Sequence, residues 1–384
     1  MFTKNINFSN FLIKKKNKLV KLKLKSILKK NDQVINSLRK TYKDSYNLKS
    51  LKIFNKKLDY RIIGMGGSTL GAQAIYDFLK NKIKKKFYFI DDLKVKQKKL
   101  PNKLHNNLII SKSGNTIETI VNSNILLNKK DINLFITDNK NSYLKHLANK
   151  LKSEVVDHNN YIGGRYSVLS EVGMLPSELM GLKKKNFRQL NNLVKNKYYM
   201  NALIQNVSAT IFYLKKKKFN SVIINYDEYS NNLFYWYQQL VAESLGKAHK
   251  GLLPIISNMP KDNHSVMQLY LDGFQNNFFT FFFVKEKNSL KIKNKEILSE
   301  YSHLKKKDIN EIMYAQKKAT ENVFLRKNIP FRSFEVNKRD EKTLGELFCF
   351  FILETILLGR CLKINPFDQP AVELIKKETN KILT

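Results

Sequence analysis

Asp59-Tyr60-Arg61-Ile62-Ile63-Gly64-Met65-Gly66-Gly67-Ser68-Thr69-Leu70 joins a short apolar run, a glycine cluster and the opening of a helical pattern. Tyr60 to Gly64 has the length and composition of a buried strand, and Leu70 to Leu79 repeats its apolar residues at helical spacing. A strand that passes through glycines directly into a helix sits where an open parallel sheet places ligands, at the carboxyl ends of its strands. Glycines let the backbone approach an anion, and the helix start offers N–H groups without intrahelical partners. The match to a dinucleotide fingerprint is imperfect, because Thr69 stands where the third glycine belongs, and no Gly-Lys-Ser/Thr triplet makes it a P-loop. A plain tight turn explains this stretch as well as a site does.

The alternation continues with predicted strands at Lys86 to Ile90, Asn107 to Ser111 and Ile132 to Thr137 and a helix at Thr116 to Leu127. It resumes after a lysine-rich connection near Lys183 to Lys197. There the pattern predicts a helix over Ala202 to Lys215, a strand over Ser221 to Tyr226, a helix over Asn232 to Leu245 and a very apolar strand over Phe278 to Val284. From Lys306 the pattern predicts a helix, a strand over Phe331 to Val336, a helix over Leu344 to Leu358 and a last helix after Pro370. Strands that alternate with helices imply parallel sheets covered on both faces, so the fold class is α/β. Residues 1–50 alternate leucine and lysine at helical spacing, as in Leu12, Leu19, Leu22, Leu24 and Leu28, and read as a surface-facing helical lead-in.

The chain has 384 residues, 42% of them hydrophobic and 11% aromatic, enough to fill the core of two domains, which excludes a disordered protein. Cys349 and Cys361 both lie in an apolar stretch and read as buried residues, with no paired spacing for zinc or a disulfide framework. No apolar run approaches the roughly 18 residues of a membrane span, and the first 31 residues lack the apolar block of a secretory signal. A cytoplasmic location away from membranes is expected. The formal charge of +38 raises nucleic acid as a partner, yet only eight of the 70 basic residues are arginine, the better reader of phosphates and bases. The lysines are spread over the whole chain, so no specific nucleic-acid binding is expected.

Several segments carry candidate chemistry. Ser111-Lys112-Ser113-Gly114-Asn115-Thr116 brings three hydroxyls and a helix start into six residues, a cradle suited to a phosphate dianion or a serine-rich cap. Gly163-Gly164-Arg165-Tyr166-Ser167 presents an arginine from a flexible backbone; it could face a developing oxyanion or a surface acid. Gln239, Glu243 and Lys247 fall on one helix face, which the residues alone read more readily as a solvent-facing Glu–Lys pair than as a base beside an amide. His264 sits in a polar turn, where caps and surface histidines are common. Asn365-Pro366-Phe367-Asp368-Gln369-Pro370 opens a helix that places Gln369, Glu373 and Lys376 on overlapping faces, and most of its charges read as solvated.

In this order, Gly66-Gly67-Ser68, Ser111-Lys112-Ser113, Gly163 to Ser167, Glu243-Ser244-Leu245-Gly246-Lys247, His264-Ser265 and Phe367-Asp368-Gln369 with Glu373-Leu374-Ile375-Lys376 resemble the glucose-6-phosphate isomerase (phosphoglucose isomerase) family. The resemblance runs from about Gly64 to Lys376. It implies two α/β/α sandwich domains of the sugar-isomerase (SIS) type with parallel sheets and a C-terminal helical extension. Residues 51–195 would form the first domain with the phosphate-binding loop, residues 196–345 the second, and residues 346–384 helices packing across both. It implies reversible conversion of glucose 6-phosphate and fructose 6-phosphate through a cis-enediol(ate), a step of glycolysis and gluconeogenesis. No electrons leave the sugar, so neither a metal nor a redox cofactor is expected.

Carried over by position, the resemblance implies that Gly67, Ser68, Ser111, Lys112, Ser113 and Thr116 hold the substrate phosphate, Lys112 mainly through its backbone. Arg165 would lie over the enediolate, Gln239 and Gln369 would orient sugar hydroxyls, His264 and Lys376 would assist ring opening, and Glu243 would move the proton between C2 and C1. The family usually works as a homodimer with the histidine coming from the second subunit. Gly114-Asn115 is similar to the shorter bacterial type, while Pro370 beside Gln369 departs from the family pattern. The double-glycine setting of Arg165 favours this family over the dual-specificity phosphoglucose/phosphomannose isomerases. A non-catalytic SIS module that senses sugar phosphates is the main rival reading, and it has no use for a base at Glu243 together with His264 and Lys376.

Overall fold

A computed structural model of the chain describes residues 2–13, 17–30, 32–47, 58–95, 104–293, 297 and 299–384. The expected boundary between residues 50 and 51 lies outside the described residues. Among the described residues, ten strands form two five-stranded sheets. The first sheet is parallel throughout and runs β3 (Phe87–Ile90), β2 (Tyr60–Gly64), β4 (Asn106–Ile110), β5 (Ile132–Thr137), β6 (Glu154–Asp157). The second runs β1 (Ile6–Ser9), β10 (Phe331–Val336), β9 (Asn277–Val284), β7 (Asn220–Asn225), β8 (Leu253–Asn258). Only β1 is antiparallel in it, paired to β10 with Ile6 opposite Val336.

Residues that alternate along a strand point to opposite faces, and the core follows that rule. Ile62, Leu108 and Leu134 join one large apolar cluster, whereas Ile63, Ile109 and Phe135 pack with Leu144 and Ala148 on the other side of the same sheet. In the second sheet Ile223, Phe282 and Phe334 face the large cluster, while Val222, Phe281 and Phe283 pack with Phe324 on the outer face. The large cluster therefore fills the space between the sheets, and the Glu341–Cys361 helix runs through it, buried at every residue from Thr343 to Gly359. This is an α/β architecture of two covered sheets sharing a helical middle layer. A buried ion pair, Arg332 with Glu354, ties that helix to β10, with Asn206 and Thr280 taking further guanidinium protons. Arg339, in the loop after β10, binds Asp227 beyond β7 at 2.7 Å and Glu286 beyond β9 at 2.5 Å and reaches the Phe78 carbonyl, on the helix after β2, at 3.4 Å.

The start of the chain differs from the surface-facing helical lead-in. Asn5-Ile6-Asn7-Phe8 alternates with period two, and Ile6–Ser9 forms an edge strand, with the Phe8 and Phe334 rings 4.4 Å apart. A helix does follow at Lys18–Lys29, but it buries Val20, Leu24 and Ile27 in the central cluster. The connection near Lys183 to Lys197 is also packed, since Phe187, Arg188 and Leu190 are buried and Gly345 of the central helix touches the Phe187 backbone. Cys349 is buried and Cys361 half-buried, both free thiols. At the far end the Val372–Leu383 helix buries none of its residues. Among the described residues no helix is long and apolar enough to cross a membrane.

One buried group makes stability respond to pH. His158, just after β6, sets Nδ1 3.0 Å from the Asn159 carbonyl, and burial lowers its pKa from 6.5 to about 4. Between those values the unfolded chain holds a proton there that the folded chain does not. Stability is therefore complete above about pH 6.5 and is lost as pH falls towards about 4, by roughly 3 kcal/mol for this group. Buried Glu171, whose pKa is raised by burial, responds in the opposite direction, so the test compares two proteins. Chemical denaturation from about pH 7.5 to about pH 4 is expected to show a shallower loss in His158→Gln than in the parent; equal slopes would count against the assignment.

Candidate active site

The register of the first sheet sets two loops side by side. Gly64 of β2 lies opposite Ile110 of β4, so the turns that leave their carboxyl ends, 65–69 and 111–116, are neighbours. In the second turn Ser111 and Thr116 hydroxyls meet at 2.9 Å, and the Ser113 hydroxyl accepts the Asn115 N–H at 3.3 Å. Thr116 is the N-cap of the Ile117–Leu126 helix but makes no side-chain cap, which leaves the first N–H groups of that helix for another acceptor. The Lys112 ammonium points away to the Asn160 carbonyl at 2.8 Å. Gly67 and Ser68 lie in the short turn Gly66–Ser68.

That turn is pressed against the arginine segment. A Cβ on Gly67 would stand 2.2 Å from the Gly164 carbonyl carbon and 2.5 Å from the Arg165 nitrogen, so only glycine permits this approach. Gly66, at φ +53°, would place a Cβ 2.8 Å from the Gln239 amide nitrogen. The 65–69 turn is thereby set beside the Asn231–Leu245 helix, which follows β7 and carries Gln239 and Glu243, with the 111–116 turn as its other neighbour at the end of β4.

Arg165 is 1% exposed and every one of its five N–H groups has an acceptor. Nε donates to Ser244 Oγ at 2.8 Å, Nη1 to Glu243 Oε2 at 3.1 Å and Gln369 Oε1 at 2.6 Å, and Nη2 to the carbonyls of Pro366 at 2.8 Å and Asp368 at 3.0 Å. The Ser244 hydroxyl passes its proton on to the Tyr166 oxygen at 2.8 Å, because the Tyr166 hydroxyl donates to the Pro366 carbonyl at 3.0 Å. Burial pushes the Tyr166 phenol up to about 12, so it remains a donor. Trp236 fixes the arginine backbone, with Nε1 3.2 Å from the Arg165 carbonyl.

Glu243 is held from both sides, Oε2 by Arg165 and Oε1 by the Gln239 amide at 2.8 Å, while its side chain keeps 30% of its surface open. Among the described residues the Gln239 carbonyl oxygen is buried without a donor. The i, i+4 reading of Glu243 with Lys247 is replaced: Lys247 lies beyond the helix end and binds Asp368 instead, at 2.6 Å to the carbonyl and 2.9 Å to Oδ1.

Of the site residues named from the sequence, Arg165, Gln239, Glu243 and Gln369 form one hydrogen-bonded cluster, with Gly67 packed against it and Ser68, Ser111, Lys112, Ser113 and Thr116 in the adjoining turns. His264 and Lys376 are not brought to it. His264 is exposed at the end of the turn Lys261–His264, and Lys376 pairs with Glu373 at 2.7 Å on the uncovered terminal helix. Gln369 lies before that helix begins at Val372, so it shares no helical face with Lys376. Sequence reasoning passed over Ser244 and Asp368, although each stands inside a motif it quoted, and named Lys247 only as a partner of Glu243. A cavity of about 210 Å³ lies elsewhere, at the amino ends of β7, β9 and β10 beside Lys218, Tyr270 and Pro330. Among the described residues no group of three or more His, Cys, Asp or Glu side chains is placed to hold a metal.

Comparison with known proteins shows the family. The model of the phosphoglucose isomerase family matches residues 10–384. A probable glucose-6-phosphate isomerase of Methanococcus maripaludis is 35% identical over 235 residues, 58% of this chain and 51% of that protein, so the matched stretch spans about half the relative's length. A glucose-6-phosphate isomerase of Methanocaldococcus jannaschii is 30% identical over 374 residues, 92% of this chain and 90% of that protein. Among solved structures, a hypothetical protein of Thermus thermophilus shares the fold with a TM-score of 0.83 at 23% identity, covering 95% of both chains. Matched by the family model along nearly its whole length, the chain belongs to the phosphoglucose isomerase family.

Proposed function

We propose that this chain interconverts glucose 6-phosphate and fructose 6-phosphate, with Glu243 as the proton carrier. The observation that carries the reading is the setting of that carboxylate: hydrogen-bonded on both oxygens, partly open, and beside the buried unpaired Gln239 carbonyl oxygen. The turns holding Gly67, Ser68, Ser111, Lys112, Ser113 and Thr116 would bind the phosphate through hydroxyls and helix N–H groups. Gln239 and Gln369 would accept or donate to sugar hydroxyls and so present C1 and C2 to Glu243. The carboxylate takes the C2 proton, the electron pair stays in the sugar as an enediolate, and the same carboxyl group returns the proton to C1 while the hydroxyl proton shifts between O2 and O1. General base catalysis of this kind contributes roughly 10²- to 10⁴-fold. With its N–H groups all engaged, Arg165 acts on the enediolate through its charge rather than through a hydrogen bond of its own.

His264 and Lys376 are assigned ring opening, as acid and base at the ring and anomeric oxygens. The exposed His264 and the uncovered apolar face of the terminal helix at Val372, Ile375 and Ile382 support a homodimer in which the histidine serves the second copy. Light scattering of a stable, active monomer would remove the dimer. We divide the chain into domains near residue 195, with the phosphate loop in the first and Glu243 in the second. The reaction is placed in the cytoplasm, in glycolysis and gluconeogenesis, because a charged sugar phosphate crosses no bilayer unaided and the enzyme must share its compartment.

The direct test is to incubate the purified protein with fructose 6-phosphate and follow products by NMR. Glucose 6-phosphate is expected, with partial solvent deuterium at C2 in D₂O. Unchanged fructose 6-phosphate would remove the reading.

A further inference from the structure

The Asp368 carbonyl accepts two bonds at once, from Arg165 Nη2 at 3.0 Å and from the Lys247 ammonium at 2.6 Å. Lys247 therefore stands one atom behind the guanidinium that grips Glu243. Its ammonium also takes Asp368 Oδ1 at 2.9 Å and holds that carboxyl below its ordinary pKa. Four residues from Lys247 reverse the chain in a tight hairpin, with Lys247 and Lys250 exchanging backbone bonds at 3.1 and 3.0 Å. Its central residues, Ala248 at φ 51° and His249 at φ 56°, are both left-handed without being glycine, a conformation that side chains disfavour. Strain of this kind persists only where the surroundings over-determine it, and it clusters at functional sites. The turn aims two lysines at one segment: Lys250 binds the Leu362 carbonyl at 3.1 Å and Lys247 binds Asp368, so residues 362–368 are tied at both ends. That segment supplies two of the five acceptors of Arg165, the Pro366 and Asp368 carbonyls, and the next residue supplies a third, the Gln369 side chain.

We propose that Lys247 is a positioning residue: by clamping Asp368 it sets the 366–369 backbone against Arg165, and through Arg165 it aims the Glu243 carboxylate. The proposal rests on the isomerase reading above. Lys247 touches no reacting atom in it, and its loss acts on orientation. Misplacement on the scale of 1 Å costs about 10²-fold in rate.

The experiment measures kcat and KM for fructose 6-phosphate, with melting temperature, in the full-length parent, Lys247→Met, Lys247→Arg, Asp368→Ala and the Lys247→Met/Asp368→Ala double variant. Lys247→Met is expected to lower kcat about 10²-fold while KM moves less than about threefold, and Lys247→Arg, which keeps charge and donors, to recover kcat to within about tenfold of the parent. Asp368→Ala keeps the carbonyl and loses only the carboxyl arm, so about a fivefold loss is expected, with no further loss when it is added to Lys247→Met. Parental kcat in Lys247→Met, or kcat that falls only in proportion to a lowered melting temperature, overturns the proposal. If Lys247→Met does not fold, Asp368→Ala decides: its side chain is half exposed, and full kcat in that variant also overturns the clamp. A parent without turnover removes the isomerase reading and the clamp with it, whereas an active parent with an equally active Lys247→Met removes the clamp alone.

Discussion

Glu243→Gln is expected to lower kcat by about 10³-fold while leaving binding of glucose 6-phosphate within a few-fold of the parent. The amide is isosteric with the carboxylate and cannot take a proton from carbon. The cluster can absorb it without collapse. The new side-chain oxygen still accepts from Arg165 Nη1, and its nitrogen would face the Gln239 nitrogen only until the Gln239 amide turns over. That turn brings the Gln239 oxygen, otherwise buried and without a donor, into use. Turnover in a coupled assay and titration calorimetry check the two halves separately. Turnover within tenfold of the parent would show that another group moves the proton.

Arg165→Lys tests the opposite case, a change that disturbs both catalysis and the fold. Lysine carries three donors on a point charge, where arginine offers five in a planar fork. At least two of the acceptors among Ser244, Glu243, Gln369, Pro366 and Asp368 then lose the arginine's bond; the Pro366 and Asp368 carbonyls keep Tyr166 and Lys247 as second donors, so the fully buried Ser244 hydroxyl bears most of the cost. Each buried acceptor left alone costs about 1–3 kcal/mol. Denaturant unfolding is expected to show a loss of about 3 kcal/mol, and kcat to fall about 10²- to 10³-fold from the weakened charge stabilisation. A variant with parental stability would mean that the arginine network is replaceable, and parental kcat would take Arg165 out of the reaction.

The interior strands were legible because burial concentrates apolar residues in short runs, although Arg61 interrupts one of them and Arg332, Ser333 and Glu335 another. Tyr60–Gly64, Ile132–Thr137 and Phe331–Val336 fall where the pattern predicts them, and β9, buried at all eight residues, is the most apolar of all. The strands that the pattern missed, β1, β6 and β8, all lie at sheet edges. An edge strand has one neighbour and one exposed margin, so it is short and mixed, as in Ile-Asn-Phe-Ser and Glu-Val-Val-Asp, and β8 carries Pro254, which argues against a strand when read alone. The site was legible in its parts and not in its wiring. Glu243 with Lys247 at i, i+4 is a pairing that sequence distance suggests, but the helix ends at Leu245, and the turn beyond it carries the lysine to a residue 121 positions away. The same limit applies to Lys376, whose spacing from Gln369 suggests a common face until the helix is seen to begin after Gln369.

Because Ile6 pairs with Val336, the earliest strand of this sheet to leave the ribosome must wait for its last. Until β10 has been synthesised and has added to β9, Ile6 and Phe8 lack the strand they pair with, although Phe2 and Phe11 can already meet Tyr199 and Tyr213, and the Lys18–Lys29 helix lacks the floor supplied by Glu341–Cys361. The sheet of the Glu243-bearing half can then close only after β10 has emerged. Long-range closure of this kind slows folding and leaves nascent chains exposed to association, so a cell making this protein depends on the strand at residues 6–9 staying unengaged for that interval.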